Sequence, residues 1–185
     1  MASKIIHDIG YISFIRENAP FLATGALLSF LSSFGQTFFI SIFGGEIRAE
    51  YELSNGDWGL IYMVGTGASA VVMVFAGSLA DQFRVRQLGI TTILLLSLSC
   101  ILMASNPIAV LLPIVIFALR FFGQGMTTHV ATVAMARWFI ATRGRALAIA
   151  AMGYMMAEAA LPLIMVWLKS YIDWHYIWIG CAMFC

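Results

Sequence analysis

The sequence predicts an all-helical membrane protein, a bundle of five complete transmembrane helices followed by a truncated sixth. Hydrophobic residues make up 62% of the chain and charged residues 10%, whereas a soluble domain has about 25% charged residues. The mean hydropathy is +0.93. Residues 58–80 and 88–105 carry no charge, and each run exceeds or approaches the roughly 20 residues that a helix needs to cross a bilayer. These observations indicate an integral membrane protein.

Apolar runs and the polar stretches between them define the predicted spans. Pro20 suits the first turn of a helix, where its missing N–H is not needed, so the first span begins there. The last run opens after Asp173 and reaches only Cys185, too short to cross the membrane. We predict spans at about residues 20–43, 57–80, 88–105, 108–130, 146–168 and 174–185, the last of them incomplete.

The N-terminal segment, residues 1–19, is predicted to lie in the cytoplasm and to include an interfacial helix. Ile5, Ile9 and Ile12 recur near helical spacing among charged residues, which is typical of a helix lying in the membrane surface. With the N-terminus inside, seven basic residues fall in cytoplasmic segments and two in external ones, a bias that fits the positive-inside rule. The inner residues are Lys4, Arg16, Arg84, Arg86, Arg137, Arg143 and Arg145, and the outer ones are Arg48 and Lys169.

The motifs of several other protein classes are missing from the sequence. It contains no Gly-x-Ser-x-Gly and no His-Glu-x-x-His, and its three histidines lie far apart, so we expect no enzyme. Three cysteines lie in apolar runs without metal-ligand spacing, which favours small buried side chains over a metal site or a disulfide. No basic block suggests nucleic acid as a partner. We therefore expect no cofactor and no metal.

Two charged residues are predicted to lie inside the membrane. Arg120 and Glu158 each stand about 13 residues into a span, and such charges are tolerated mainly where they face a cavity or a partner. Arg120 keeps its proton and can bind a carboxylate with two hydrogen bonds, and a desolvated carboxyl such as Glu158 can carry a proton. The alternative is that the two side chains neutralise each other as a structural pair. We predict that both face the bundle interior.

Two further polar side chains leave alternatives open. Gln36 shares a helical face with three serines of the first span. It either hydrogen-bonds to a neighbouring helix or forms part of the wall of a polar cavity. His129 lies near the inner interface, where it either relays a proton or makes an interfacial hydrogen bond.

Two motifs resemble the major facilitator superfamily of transporters. Gly77-Ser78-Leu79-Ala80-Asp81, followed by Arg84 and Arg86, resembles the loop between that family's second and third helices. Arg120 followed by Gln124 and Gly125 resembles its fourth-helix motif, and Arg143-Gly144-Arg145 with Gly153 is similar to the monocarboxylate-porter-like branch. The resemblance implies a bundle of the same type, the first half of a twelve-helix fold. It also implies a conformational gate at Gly77, Asp81, Arg84 and Arg86. For Arg120 it implies substrate binding or proton coupling, and for Gln124 substrate binding.

The resulting functional hypothesis is a secondary active transporter in the cell (inner) membrane. It would move a small organic anion, such as a monocarboxylate, by alternating access, with Arg120, Gln36 and Gln124 binding the substrate and Glu158 coupling a proton. The expected partners are the substrate, the lipid bilayer, and a missing C-terminal half or a second copy of the chain. The alternative is a membrane scaffold or receptor-like protein that transports nothing.

Overall fold

The structure is a computed structural model that describes residues 10–185, except for the side chains of Tyr11 and Asp81. Helices account for nearly all of this range, which contains no strand. The predicted all-helical class is therefore confirmed. Four helical segments are long and apolar enough to cross a membrane: Asn55–Ala76, Val85–Ala104, Ala109–Trp138 and Arg143–Lys169.

Eleven α-helices follow one another in the described range, joined in places by short helices of other types. They are α1 (Tyr11–Glu17), α2 (Ala19–Leu31), α3 (Thr37–Ile42), α4 (Gly44–Glu50), α5 (Asn55–Ala76), α6 (Leu79–Gln82), α7 (Val85–Ala104), α8 (Leu112–Leu119), α9 (Thr128–Trp138), α10 (Arg143–Lys169) and α11 (Trp174–Phe184). Short 3-10 helices cover Ser32–Gly35 and Ala109–Leu111, and a π-helix covers Arg120–Thr127. A short helix, α1, lies within the predicted N-terminal segment of residues 1–19, while residues 1–9 lie outside the described residues.

The first predicted span, at about residues 20–43, is broken and is not one continuous helix. After α2 the chain tightens into the 3-10 turn, and Gln36 adopts an extended conformation with φ −81° and ψ 153° before α3 begins. A side chain cannot be accommodated beside the break: a Cβ on Gly35 would lie 2.0 Å from the carbonyl oxygen of Leu119. The break therefore coincides with a backbone contact between the first and fourth spans.

The fourth span also departs from the predicted boundaries. Helical structure continues to Trp138, eight residues beyond the predicted end at residue 130. Its middle turns are a π-helix that begins at Arg120, and such insertions occur frequently at functional sites. Gly123, within this segment, packs directly against Gly35, because a Cβ there would lie 2.6 Å from the Cα of Gly35.

Small residues bring the other spans together. A Cβ on Gly153 of α10 would lie 1.9 Å from the carbonyl oxygen of Ala26 in α2. A Cβ on Gly65 of α5 would lie 2.7 Å from the carbonyl oxygen of Pro113 in α8. Close backbone approach of this kind is how membrane helices gain packing energy without a hydrophobic driving force. The glycines thus fix α2 beside α10 and α5 beside α8.

An aromatic cluster fills the interior between the first and sixth spans. The rings of Phe39 and Phe43 lie 5.3 and 5.2 Å from that of Trp178, and all three side chains are fully buried. These separations are within the favourable range for aromatic pairs. The cluster anchors α3, which follows the broken turn, and so helps to hold that turn in place.

Side-chain contacts tie the predicted external ends of the helices together. Lys169, at the end of α10, donates to the carbonyl of Ile42 at 2.5 Å and forms an ion pair with Glu46 of α4 at 2.6 Å. Tyr51 donates to the carbonyl oxygen of Asn106 at 2.7 Å, and Trp174 donates to Glu50 at 3.1 Å. Segments that are distant in sequence are therefore joined at this face.

Candidate functional site

Arg120 is the buried cation of the structure's membrane-spanning core. Its side chain is only 8% exposed, and its position at the start of the π-helix directs it at the break in the first span. Nη1 donates to the hydroxyl of Thr37 at 2.9 Å and to the carbonyl oxygen of Gly35 at 3.3 Å. The broken turn thus supplies the oxygen atoms that hold the guanidinium in place.

One edge of the guanidinium remains without a protein partner. Nε is buried and unpaired, Nη2 makes no hydrogen bond to any described residue, and no described Asp or Glu forms an ion pair with Arg120. Nε–H and one Nη2–H point in parallel and match the two oxygen atoms of a carboxylate. Arg120 is therefore fixed through Nη1 and free to bind an anion along its other edge.

A groove of about 420 Å³ opens between α5 and the fourth span, with Arg120 in its wall and several hydroxyl-bearing residues along it. The α5 residues that line it recur at steps of three and four and so share one helical face. Gln124 lies in the opposite wall, one turn beyond Arg120. The lining residues are Thr66, Ser69, Ala70, Met73, Arg120, Gln124, Gly125, Thr128, His129 and Thr132.

Two hydroxyl groups on α5 were not expected from the sequence. Tyr62 places its ring 5.9 Å from the guanidinium carbon of Arg120, and Thr66 lines the groove one turn further on. The hydroxyl oxygens of both residues are buried and have no hydrogen-bond partner. In the sequence, only their four-residue spacing within an apolar run could have pointed to them.

The other predicted site residues lie apart from the groove. Glu158 is exposed on α10, so our prediction that both intramembrane charges face the bundle interior holds for Arg120 and is wrong for Glu158. Within residues 10–185 no hydrogen bond or ion pair joins the two, and the structural pair considered above is not formed. Gln36 forms the extended turn between the two residues that hold Arg120, but it does not line the groove.

The predicted gate lies at the end of the groove that His129 lines. Gly77 ends α5, and its carbonyl oxygen lies 3.0 Å from Nε2 of His129. Because a carbonyl only accepts hydrogen bonds, this nitrogen carries the proton, and His129 makes an interhelical bond of the kind considered from the sequence. Arg84 precedes the first turn of α7 and Arg86 is exposed within it. Asp81 lies in α6, and its side chain is outside the described part of the structure.

A comparison with protein families found a match. The sequence model of the Major Facilitator Superfamily matches residues 25–185, a range that includes the break in the first span, the π-helix, and the groove between α5 and the fourth span. A search of curated proteins and a search of solved structures each returned no match.

Proposed function

This chain belongs to the Major Facilitator Superfamily, a family of membrane transporters rather than enzymes, and from that premise we propose secondary active transport of a small organic anion. The chain is a multi-pass integral membrane protein with several helices of spanning length. A monocarboxylate is the proposed substrate class, and the bundle is proposed to form the N-terminal half of the transporter. The second half would come from a further segment or from a second copy of the chain.

The free edge of Arg120 is the observation that carries the substrate assignment. A buried charge with no carboxylate partner is costly in a membrane, and a substrate carboxylate would supply both the missing charge and the acceptors for Nε and Nη2. Gln124 lies one turn along the same wall and offers an amide to the rest of the substrate. Gln36 would contribute through the turn that holds Arg120 in position.

The broken first span supports an alternating-access mechanism. In secondary transporters, binding sites lie near the middle of the membrane beside interrupted helices, and one bundle rocks against the other. Here the interruption at Gln36 lies directly beside Arg120. A shift of the first span would therefore change the position of the guanidinium.

The gate is proposed to act through the turn after α5. His129 bonds the carbonyl of Gly77, so the groove wall and the turn that contains Asp81 are mechanically connected. Asp81, Arg84 and Arg86 are proposed to hold neighbouring helix ends together at the cytoplasmic face. We propose a cytoplasmic N-terminus, which the distribution of basic residues supports, and a location in the cell membrane.

Glu158 is proposed to couple transport to a proton. Its exposed position on α10 is available to a second bundle or to water within the complete transporter. A carboxylate at membrane depth is among the groups that form proton pathways in transporters. Glu158 does not line the groove and forms no ion pair with Arg120 within the described residues, so coupling would run through movement of the helices.

Uptake by the full-length gene product in proteoliposomes tests the proposal. With radiolabelled acetate and an inward proton gradient, the wild-type protein should accumulate label. Arg120→Lys should lose about tenfold or more in affinity, because lysine keeps the charge and loses the two-pronged hydrogen bond. Glu158→Gln should abolish gradient-driven uptake and preserve exchange.

The Arg145→Lys variant is the matched control. It should transport normally, because Arg145 is exposed at the predicted cytoplasmic face. Normal uptake by Arg120→Lys would show that Arg120 does not bind the anion. If the wild-type protein moved neither acetate nor pyruvate, the monocarboxylate assignment would fail.

A further inference from the structure

We propose that Tyr62 and Thr66 of α5 complete the anion site by donating their hydroxyl groups to the same carboxylate that Arg120 binds. The proposal rests on the proposed function, because it assigns two further binding residues to that site. It makes the second span a direct participant in recognition of the anion, opposite the fourth.

The first argument is the coincidence of three unpaired polar atoms. Nε of Arg120, the hydroxyl of Tyr62 and Oγ1 of Thr66 are all buried without a hydrogen-bond partner. The large majority of buried polar side-chain atoms in proteins are paired. Seven such unpaired atoms occur among the described residues, and these three come from two facing helices and can all donate. Their grouping indicates a place that an acceptor occupies in the working protein.

The second argument is the behaviour of other threonines in this chain. Thr24, Thr92 and Thr132 each donate to the backbone carbonyl four residues earlier, at 2.7 to 2.9 Å. This is the ordinary way for a helical threonine to satisfy its hydroxyl. Thr66 makes no such bond, so its hydroxyl remains available to a ligand in the groove.

The third argument is position. Tyr62 and Thr66 are four residues apart and lie on the same face of α5. Thr66 and Arg120 both line the groove, and the ring of Tyr62 lies 5.9 Å from the guanidinium carbon. A carboxylate has about four acceptor positions, which is enough for two bonds from Arg120 and one from each hydroxyl.

Binding of sodium acetate to the purified full-length protein in detergent tests this arrangement, with sodium chloride at equal ionic strength as the reference. Tyr62→Phe and Thr66→Val should each weaken acetate binding about tenfold, and Thr66→Ser should restore binding to near the wild-type value. Tyr171→Phe and Thr24→Val are the matched controls. Tyr171 is exposed outside the groove, and Thr24 also lies outside it, with its hydroxyl already paired with the carbonyl oxygen of Pro20 in its own helix.

Thermal unfolding without acetate separates binding from folding. Because the two hydroxyls have no partner in the protein, Tyr62→Phe and Thr66→Val should leave the Tm unchanged or higher. Wild-type acetate affinity in both variants, together with loss in Arg120→Lys, would show that the hydroxyls bind only water. That result would overturn this inference and leave the proposed function standing. No acetate binding by the wild-type protein would overturn both.

Discussion

Arg120 shows how single contacts make a membrane-embedded charge tolerable. An arginine at the centre of a spanning helix costs about 2.5–3.5 kcal/mol on insertion scales. Here Nη1 has two oxygen acceptors and the ring of Tyr62 lies 5.9 Å away, within the range of a cation–π contact. These neighbours are polar but uncharged, so the positive charge is stabilised without being neutralised. The charge therefore remains available for an anion.

Asp173 is a residue whose titration should be visible in stability. Just before α11 it accepts a hydrogen bond from the backbone N–H of His175 at 2.9 Å, and its carboxylate lies 2.6 Å from Nδ1 of the same residue. These contacts hold the pKa of Asp173 below its usual value of 3.8. A carboxyl whose folded pKa is lowered stabilises the fold above its unfolded pKa, and this contribution is lost as the pH falls through the folded value.

Asp173→Asn should therefore flatten the acid limb of the stability profile. Thermal unfolding between pH 5 and pH 3 should show a smaller loss of Tm in this variant than in the wild-type protein. Glu52→Gln is the control, since Glu52 is exposed at the same end of the bundle and should keep the wild-type slope. Equal acid slopes for Asp173→Asn and the wild-type protein would contradict the assignment.

At the scale of helices, the sequence predicts what is local and misses what depends on contacts between helices. Uncharged runs reveal the spans, because the cost of burying charge applies to every residue of a run. The extended residue at Gln36 and the π-helix from Arg120 have no such signal. Both lie at the contact between Gly35 of the first span and Gly123 of the fourth span, and these two spans are distant in sequence.

The same distinction explains which residues of the candidate site could be predicted from the sequence. Arg120 was predicted because a charge in an apolar run is conspicuous. Tyr62 and Thr66 were missed because both residue types are ordinary in spanning helices, and only the structure shows that their hydroxyls are unpaired. The exposure of Glu158 could not be predicted either, since the orientation of α10 is set by contacts such as that of Gly153 with α2.

Alanine at Gly123 should destabilise the crossing of the first and fourth spans. Its Cβ would lie 2.6 Å from the Cα of Gly35, so the backbones must separate. Gly67 of α5 is the matched control, because a Cβ there meets nothing within 4 Å. In a helix interior, alanine is favoured over glycine by about 1 kcal/mol.

Thermal unfolding in detergent distinguishes these cases. Gly67→Ala should leave the Tm unchanged or raise it by about 2–4 °C, while Gly123→Ala should lower it by several degrees. Gly123→Ala should also weaken acetate binding, because the carbonyl of Gly35 holds Arg120. An unchanged Tm and unchanged binding in Gly123→Ala would mean that the close approach of the two glycines does not support the site.

Across the whole molecule, the two ends of the bundle differ in chemistry. The end that carries α4 and the turn before α11 is acidic and cross-linked by hydrogen bonds and an ion pair, including those of Lys169, Tyr51 and Trp174. The opposite end carries most of the arginines. Such a division is what the positive-inside rule leads us to expect of a membrane protein with the arginine-rich end in the cytoplasm.

Cysteine labelling in intact cells tests this orientation. Ala49 of α4 and Ala141, just before α10, are both exposed and lie at opposite ends of the bundle. We expect Ala49→Cys to react with a membrane-impermeant maleimide added outside, and Ala141→Cys to react only after permeabilisation. The unmodified protein gives the background, since Cys100 and Cys181 are buried and Cys185 is partly buried. Reaction of Ala141→Cys in intact cells, with protection of Ala49→Cys, would invert the topology and move the gate turn to the external face.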